Sequence, residues 1–482
     1  PDGRQNYAGH MGWNPDRRRN DGEIMTDYAG FIKRKGTTDP ATGLSDVPPL
    51  NPMLYPHQAD MVRWALRRGR AALFADCGLG KGPMQMEWAK HQPHECIIAA
   101  PLAVAHQFVR EAHKFGVDLA YAKDQSQITK RITVTNYERM DSFHVDQFGA
   151  VALDESSILK SHSGAYCTWM IDAFKNAPFR LCSSATPAPN DVMELGTQAE
   201  FLGVMTRSEM LAMYFTHDGG DTSKWRVKGH AQADFWEWMA SWAVMIRKPS
   251  DLGYSDDGFD LPPLYMHEQS VSVDRPTSGF LFALEAQTLQ ERQAARRESI
   301  TDRVRACADV VNATDRQFIV WCNLNDESAQ LAAAIPGSIE VTGSDSDDKK
   351  EASIIGFLEG KHRVLVSKPR IAGIGLNLQC CADMAFVGLS DSYEQLYQAV
   401  RRCYRFGQSQ PVNVHLITAE TEGAVVSNIK RKEREAEDTY NSMIAHMKEL
   451  NSAALHGGVT RNKTKYQPTV PMAIPAFLGV AA

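Results

Sequence analysis

Two α/β lobes, each built on a parallel sheet, with a mostly helical insertion between them, are the fold predicted by three observations. Short β-rich apolar runs alternate with longer amphipathic segments, which implies parallel strands covered by helices on both faces. The alternation occurs twice, once from about Leu54 and again after Asp315. A chain of 482 residues is also too long for one core and suits two or three domains.

In chain order, residues 1–49 read as an N-terminal extension, partly disordered or tag-derived. Pro1 to Glu23 hold few apolar residues, Gly9-His10-Met11 looks like a cloning scar, and Met25 is the expected natural start. Lys35 to Pro52 is loop-like, rich in Thr, Asp, Pro and Gly. Residues 50–203 are expected to form the first lobe, with strands at 71–75, 96–100, 132–135, 150–153 and 180–184 and helices at 84–91 and 103–115. Residues 204–265 are the expected insertion. Trp236, Met239 and Trp242 share i, i+3 spacing there, which favours helix packing over base stacking. Residues 266–450 are the expected second lobe, with strands at 318–322, 339–342, 363–367, 384–387 and 412–416, and residues 451–482 a tail.

Composition narrows the classes. Hydrophobic residues are 43% and charged residues 23%, so wholesale disorder is excluded. The net charge of −6 argues against a polybasic binder, but not against one local basic channel, since screening confines surface charge to about 10 Å. The apolar run from Ile97 to Ala105 is far short of the roughly 20 residues a membrane helix needs. Nine scattered cysteines without a C-x-x-C pair fit free thiols in a reducing cytoplasm. The ligand-dense stretch from His91 to Cys96 lacks a second ligand pair and reads as a plain loop. Cys380-Cys381 reads as core, and Lys430-Arg431-Lys432 as a solvated face.

Three patterns carry chemistry. Ala75 to Gly82 (A-D-C-G-L-G-K-G) lies between an expected strand and helix. Glycines there let backbone N–H groups converge on phosphate, and Lys81 would reach the β- and γ-phosphates. The segment lacks the first Gly and the final Ser or Thr of a full phosphate loop, so alone it fits a Gly-rich turn equally well. Asp154-Glu155 closes a buried strand where sheet ligands sit: Asp154 suits Mg²⁺, and Glu155 suits a water. Arg402 and Arg405, three apart and expected on one helical face, suit phosphate clamping.

Together these motifs resemble superfamily-two nucleic-acid motors of the Swi/Snf-like branch, in a phage or prophage version, from about Leu54 to Ile429. Tyr55-Pro56-His57-Gln58 resembles the adenine-reading Q motif, and Gly78-Leu79-Gly80-Lys81 the phosphate loop. Thr135-Asn136-Tyr137-Glu138 resembles T-x-Y-E, Asp154-Glu155-Ser156-Ser157 the DEAH-type box, and Ser184-Ala185-Thr186-Pro187 the coupling motif. In the second lobe, 373–378 resembles G-x-G-L-N-L, and 398–408 resembles Q-A-x-x-R-x-x-R-x-G-Q. Met245 to Lys248 and Leu261 to Pro263 resemble the segment joining insertion and second lobe.

The resemblance implies two RecA-like lobes that bind ATP and Mg²⁺ between them and DNA, duplex over single strand, across their edges. In that scheme Gln58 reads adenine, and Gly78, Leu79, Gly80, Lys81, Gly82 and Gly375 bind the nucleotide. Arg402 and Arg405 complete the site across the cleft. Thr135, Asn136, Ser184, Thr186, Asn377 and Gln398 bind nucleic acid or relay its presence. The implied protein is a monomeric cytoplasmic DNA-stimulated ATPase. Gly82 offers no hydroxyl to Mg²⁺, which keeps open a clamp with weak turnover; a strand-separating helicase is the other alternative. Ser156-Ser157 replaces the usual Ala-His or Gly-His, and His57 a Tyr.

Overall fold

The computed structural model describes residues 41–162, 164–189, 191–218, 221–272, 296–372, 377–390 and 392–457. In the first lobe, β1 (Arg70–Ala75), β2 (Cys96–Ala100), β3 (Leu119–Tyr121), β4 (Ile132–Asn136), β5 (Ala150–Asp154) and β6 (Phe179–Ser184) join a sheet. An antiparallel hairpin, β7 (Phe215–Asp218) with β8 (Asp221–Val227), follows, and β9 (Ala243–Ile246) returns to the sheet edge. The order is β3-β4-β2-β5-β6-β1-β9, every pair parallel. Its strands are buried on both faces, as parallel sheets are. Along β1, Ala72 and Phe74 enter one core while Ala71, Leu73 and Ala75 enter the other.

The second lobe repeats the plan with β10 (Leu264–Val271), β11 (Phe318–Cys322), β12 (Ser338–Val341), β13 (Val364–Ser367), β14 (Asp383–Val387) and β15 (Val412–Ala419). The order is β10-β15-β14-β11-β13-β12, again all parallel. Ile319 and Trp321 of β11 face one core, and Phe318, Val320 and Cys322 the other. The α/β class with two parallel sheets is as the sequence predicts.

Several details differ from expectation. Residues 204–265 are not simply helical: they hold the β7–β8 hairpin, lend β9 to the first sheet and open β10 of the second. The edge strand β10 is mostly exposed, so it lacks the apolar run that marks the other strands. Trp236, Trp238 and Trp242 are buried in the first-lobe core, in keeping with packing. Cys381 is buried but Cys380 is exposed, so only one of that pair belongs to the core. The helix Gly423–Gly457 runs past position 450 and crosses between lobes. Val425 and Ile429 near its start join a second-lobe core, while Met443 and Met447 join a first-lobe core. No helix among the described residues is long and apolar enough to cross a membrane.

Candidate nucleotide site between the lobes

β1 leads straight into the glycine loop, and the helix Lys81–Lys90 leaves it. Gly78 and Gly80 have φ of 90° and 80°, a region that side chains disfavour. Both also permit close approach. A Cβ on Gly78 would lie 2.6 Å from the Phe406 backbone nitrogen of the second lobe, and one on Gly80 would lie 2.3 Å from Gln58 Nε2. Lys81 Nζ donates to the carbonyls of Ala75 at 2.8 Å and Asp76 at 3.4 Å, which folds its charge back onto the loop. Leu79 buries its side chain in the core, so only its backbone is offered to a ligand. Gln58 Oε1 accepts from Tyr55 N at 3.0 Å and its Nε2 donates to Leu79 O at 3.0 Å. The residue expected to read adenine therefore braces the loop in this structure.

β5 delivers Asp154 and Glu155 to the same edge. Gln85, one turn into the Lys81–Lys90 helix, donates from Nε2 to Asp154 Oδ1 at 2.6 Å. Burial, and then the neighbouring Glu155, push the Asp154 carboxyl up to about 7, while Gln85, Lys81 and Arg402 pull it down. Glu155 is the one non-glycine with positive φ among the described residues, at 56°. Such strain is characteristic of functional sites. Its Oε2 accepts from Ser184 Oγ at 3.2 Å, and Ser184 Oγ in turn accepts from Thr186 N at 3.0 Å. A second bridge runs from Ser156 Oγ to Gln198 Oε1 at 2.7 Å and from Gln198 Nε2 to Pro187 O at 2.6 Å. The acidic box and the Ser184–Pro187 loop are thus tied twice.

From the second lobe, the helix Tyr393–Val400 ends before Arg402 and Arg405, which stand on turns rather than on the expected helical face. Both still reach the cleft. Arg402 is 4% exposed; its Nε donates to Gln398 O at 3.0 Å and one terminal nitrogen has no partner. Burial, then the adjacent Arg402, lower the pKa of Arg405. Gly80, Lys81, Gly82, Asp154 and Glu155 line a cavity of about 380 Å³ with Asn377, Arg402 and Arg405. Lobe-to-lobe contacts hold it together. Arg401 pairs with Asp76 at 2.7 Å, Tyr397 OH donates to Asp76 Oδ1 at 2.8 Å, and Lys160 pairs with Glu394.

Not every expected site residue joins this cavity. Thr135 is fully buried, and Asn136 is bonded to Tyr121 OH at 2.9 Å and Glu138 at 2.6 Å. With Ser184 also buried, none of these three presents its side chain to a nucleic acid, which leaves them the relay part of the expectation. Asn377 faces the nucleotide cavity, Gln398 is half-buried, and Gly375 lies outside the described residues. Sequence reasoning missed Gln85, Asp76, Arg401 and Glu111. It also missed an aromatic group in which Phe259 stacks on Phe406 at 4.7 Å and meets Tyr55 edge-on at 5.0 Å. No spacing rule links residues this far apart. Asp76 and Arg401 do carry one signal: opposite charges immediately beside the two phosphate motifs.

Residues 302–407 match the family described as the helicase conserved C-terminal domain. Over these residues the second lobe is similar to that domain. Over 433 residues the chain is 23% identical to the DNA annealing helicase and endonuclease ZRANB3 of Mus musculus, covering 80% of this chain and 40% of that protein. The Bos taurus protein of the same name is 23% identical over 420 residues, covering 77% of this chain and 39% of its own length. The chain therefore spans about two-fifths of the curated relatives it matches. Among solved structures, the Sulfolobus solfataricus SWI2/SNF2 ATPase core in complex with dsDNA is 16% identical, with 86% of this chain and 98% of that chain covered and a TM-score of 0.39.

The residues fit a nucleotide with Mg²⁺. The unpartnered Arg402 nitrogen, Arg405 and Lys81 suit phosphate oxygens. No group of three or more His, Cys, Asp or Glu able to hold a metal occurs among the described residues. A metal at Asp154 would thus draw its other ligands from phosphate and water, which is how Mg²⁺ is commonly bound.

Proposed function

We propose that the chain is an ATP-dependent DNA motor of the Swi/Snf-like branch of superfamily two, a translocase on duplex DNA. The observation that carries this reading is the shared cavity, in which Lys81 and the Asp154–Glu155 pair of one lobe face Arg402 and Arg405 of the other. An ATPase built this way senses lobe closure, because neither half holds the complete set of charges. Similarity to proteins named as DNA annealing helicases supports DNA as the track.

Asp154 would hold Mg²⁺, which when bound would offset the negative charge of the nucleotide phosphates. Lys81 leaves the Ala75 and Asp76 carbonyls for phosphate, and Glu155, held by Ser184, orients a water. Arg402 and Arg405 set their charges against the phosphates when the lobes are closed. The Ser184 and Gln198 bridges carry the state of Glu155 and Ser156 into the Thr186–Pro187 loop.

Phosphate release with and without duplex DNA tests the reading. Lys81→Ala and Glu155→Gln should each abolish most turnover and leave DNA binding intact; rates within twofold of wild type remove the site. DNA affinity should fall steeply with salt, by about 0.9 logarithmic units per phosphate contact for each decade of salt. The specific observation favouring a slow clamp instead is Gly82, which brings no hydroxyl to the cavity. DNA binding without stimulated turnover would decide for the clamp, and displacement of a labelled strand for a helicase.

A further inference from the structure

Gly82 brings no side chain beyond hydrogen to the cavity proposed for the nucleotide. A Cβ built there would meet only Glu111 Oε2, at 3.7 Å, within 4 Å. The next residue on the same helix to look toward the acidic box is Gln85, three positions on and so nearly one turn deeper. Gln85 is fully buried, and its Nε2 reaches Asp154 Oδ1 at 2.6 Å. Its Oε1 has no partner. A buried amide with an open oxygen is unfavourable for packing alone. Its favourable interaction is therefore with Asp154.

We propose that Gln85 is the positioning residue for the Asp154 carboxylate, and that it supplies from one turn along the helix the fixation that residue 82 cannot. The geometry gives it two effects. A donor on Oδ1 stops the carboxylate from rotating and leaves Oδ2 for the cation. Burial locks the glutamine itself, so the carboxylate is set before any ligand arrives. Orientation of a metal-binding carboxylate by an outer hydrogen bond commonly changes metal affinity by about 10- to 100-fold. This inference rests on the ATP-site reading above, so its test must separate the two.

The experiment is a Mg²⁺ titration of fluorescent ATP-analogue binding to the full chain, with binding in EDTA measured in parallel. Wild type should bind in a Mg²⁺-dependent manner that Lys81→Ala weakens. If it does not, the ATP-site reading has failed. Gln85→Met keeps the volume and removes the donor. It should raise the half-saturating Mg²⁺ roughly tenfold and leave affinity in EDTA unchanged. Adding Gly82→Ser to Gln85→Met should recover most of the shift. Gln85→Asn, which retains the amide but falls one methylene short, should show the same Mg²⁺ shift, and it serves if the Met variant does not fold. Unchanged half-saturation in the variants, with wild-type binding as described, overturns the proposal. So does an equal loss of affinity with and without Mg²⁺, which would assign Gln85 a packing role only.

Discussion

Arg402 and Arg405 stand close together in the cleft, both largely withdrawn from water, and burial lowers the pKa of Arg405 ahead of the repulsion from Arg402. Two like charges held this way await an anion. Arg405→Ala should therefore lose DNA-stimulated turnover by roughly a thousandfold or more, while nucleotide affinity persists and the melting temperature holds or rises. Collapse of nucleotide binding would place Arg405 in an open-state pocket instead. His57 poses a different residue-scale question. It is 1% exposed among Tyr55, Phe259 and Tyr254, and its Nε2 has no partner. Burial lowers its pKa to about 4, against a smaller upward pull from Asp256. The fold thus prefers the neutral ring. That preference is complete above the unfolded pKa of about 6.5 and is lost as pH falls from there through about 4, a difference on the order of 3 kcal/mol. His57→Phe should flatten this limb. Denaturation of both forms at neutral and acid pH measures it, and parallel losses would show that His57 titrates normally.

Among elements, the second lobe relies on one buried ionic junction. Arg303, fully buried, bonds Glu327 at 2.8 Å and Ser299 at 2.9 Å and lies 3.5 Å from Glu422. Glu327 also accepts from the backbone of Asn323 at 2.8 Å and Leu324 at 2.9 Å, and Glu422 from Ala419 N at 3.0 Å. The junction thus joins the helix Ile300–Asn312 to the starts of the helices Asn325–Ala334 and Gly423–Gly457. Arg303→Met would leave Glu327 buried without its cation, while Glu422 keeps Arg296 at 3.3 Å, and should cost about 3–5 kcal/mol. The exposed Arg431–Glu435 pair, by contrast, should contribute under about 1 kcal/mol. Urea unfolding of Arg303→Met and Arg431→Ala compares them; equal losses would mean that the junction is not a cooperative support.

Across the whole molecule, two of the structures that span the lobes are a helix and a charged cluster. One is the helix Gly423–Gly457, about 52 Å long at 1.5 Å per residue. Its far end is anchored where Asn451 Nδ2 donates to Met245 O at 3.0 Å and Tyr440 packs beneath Arg247 at 5.1 Å. The other is the Asp76–Arg401–Tyr397 cluster behind the phosphate loop. Burial works against the charge on Arg401, but Asp76 and Tyr397 outweigh it and raise its pKa. Arg401 does not line the nucleotide cavity. Arg401→Ala should therefore widen the lobe-to-lobe distance without nucleotide and leave intrinsic nucleotide affinity near wild type. Energy transfer between dyes on the two lobes reads this directly. An unchanged distance would mean that the long helix and the remaining lobe-to-lobe contacts set the closed arrangement without this cluster.

Much of the fold was legible because parallel strands buried on both faces tend to be apolar and β-branched; the ten expected strands, some continuous apolar runs and others interrupted by polar residues, stand where strands form. β3 is too short to read, and exposed β10 has no run; β9 showed only as a resemblance to a joining segment. Lys81, Asp154 and Glu155 were legible too, since each sits at a strand end where local chemistry alone suggests a ligand. The sequence by itself therefore determined the two sheets, their α/β class and the charged groups offered by each lobe. Tertiary structure decided which groups meet. It set Gln85 on Asp154, turned Gln58 onto the loop, buried Thr135, paired Asp76 with Arg401, and carried the last helix from one lobe to the other. The physical reason is that propensity and burial periodicity are local properties of a chain. A side-chain hydrogen bond between residues 69 positions apart, or an ion pair between residues 325 apart, exists only once the sheets have packed.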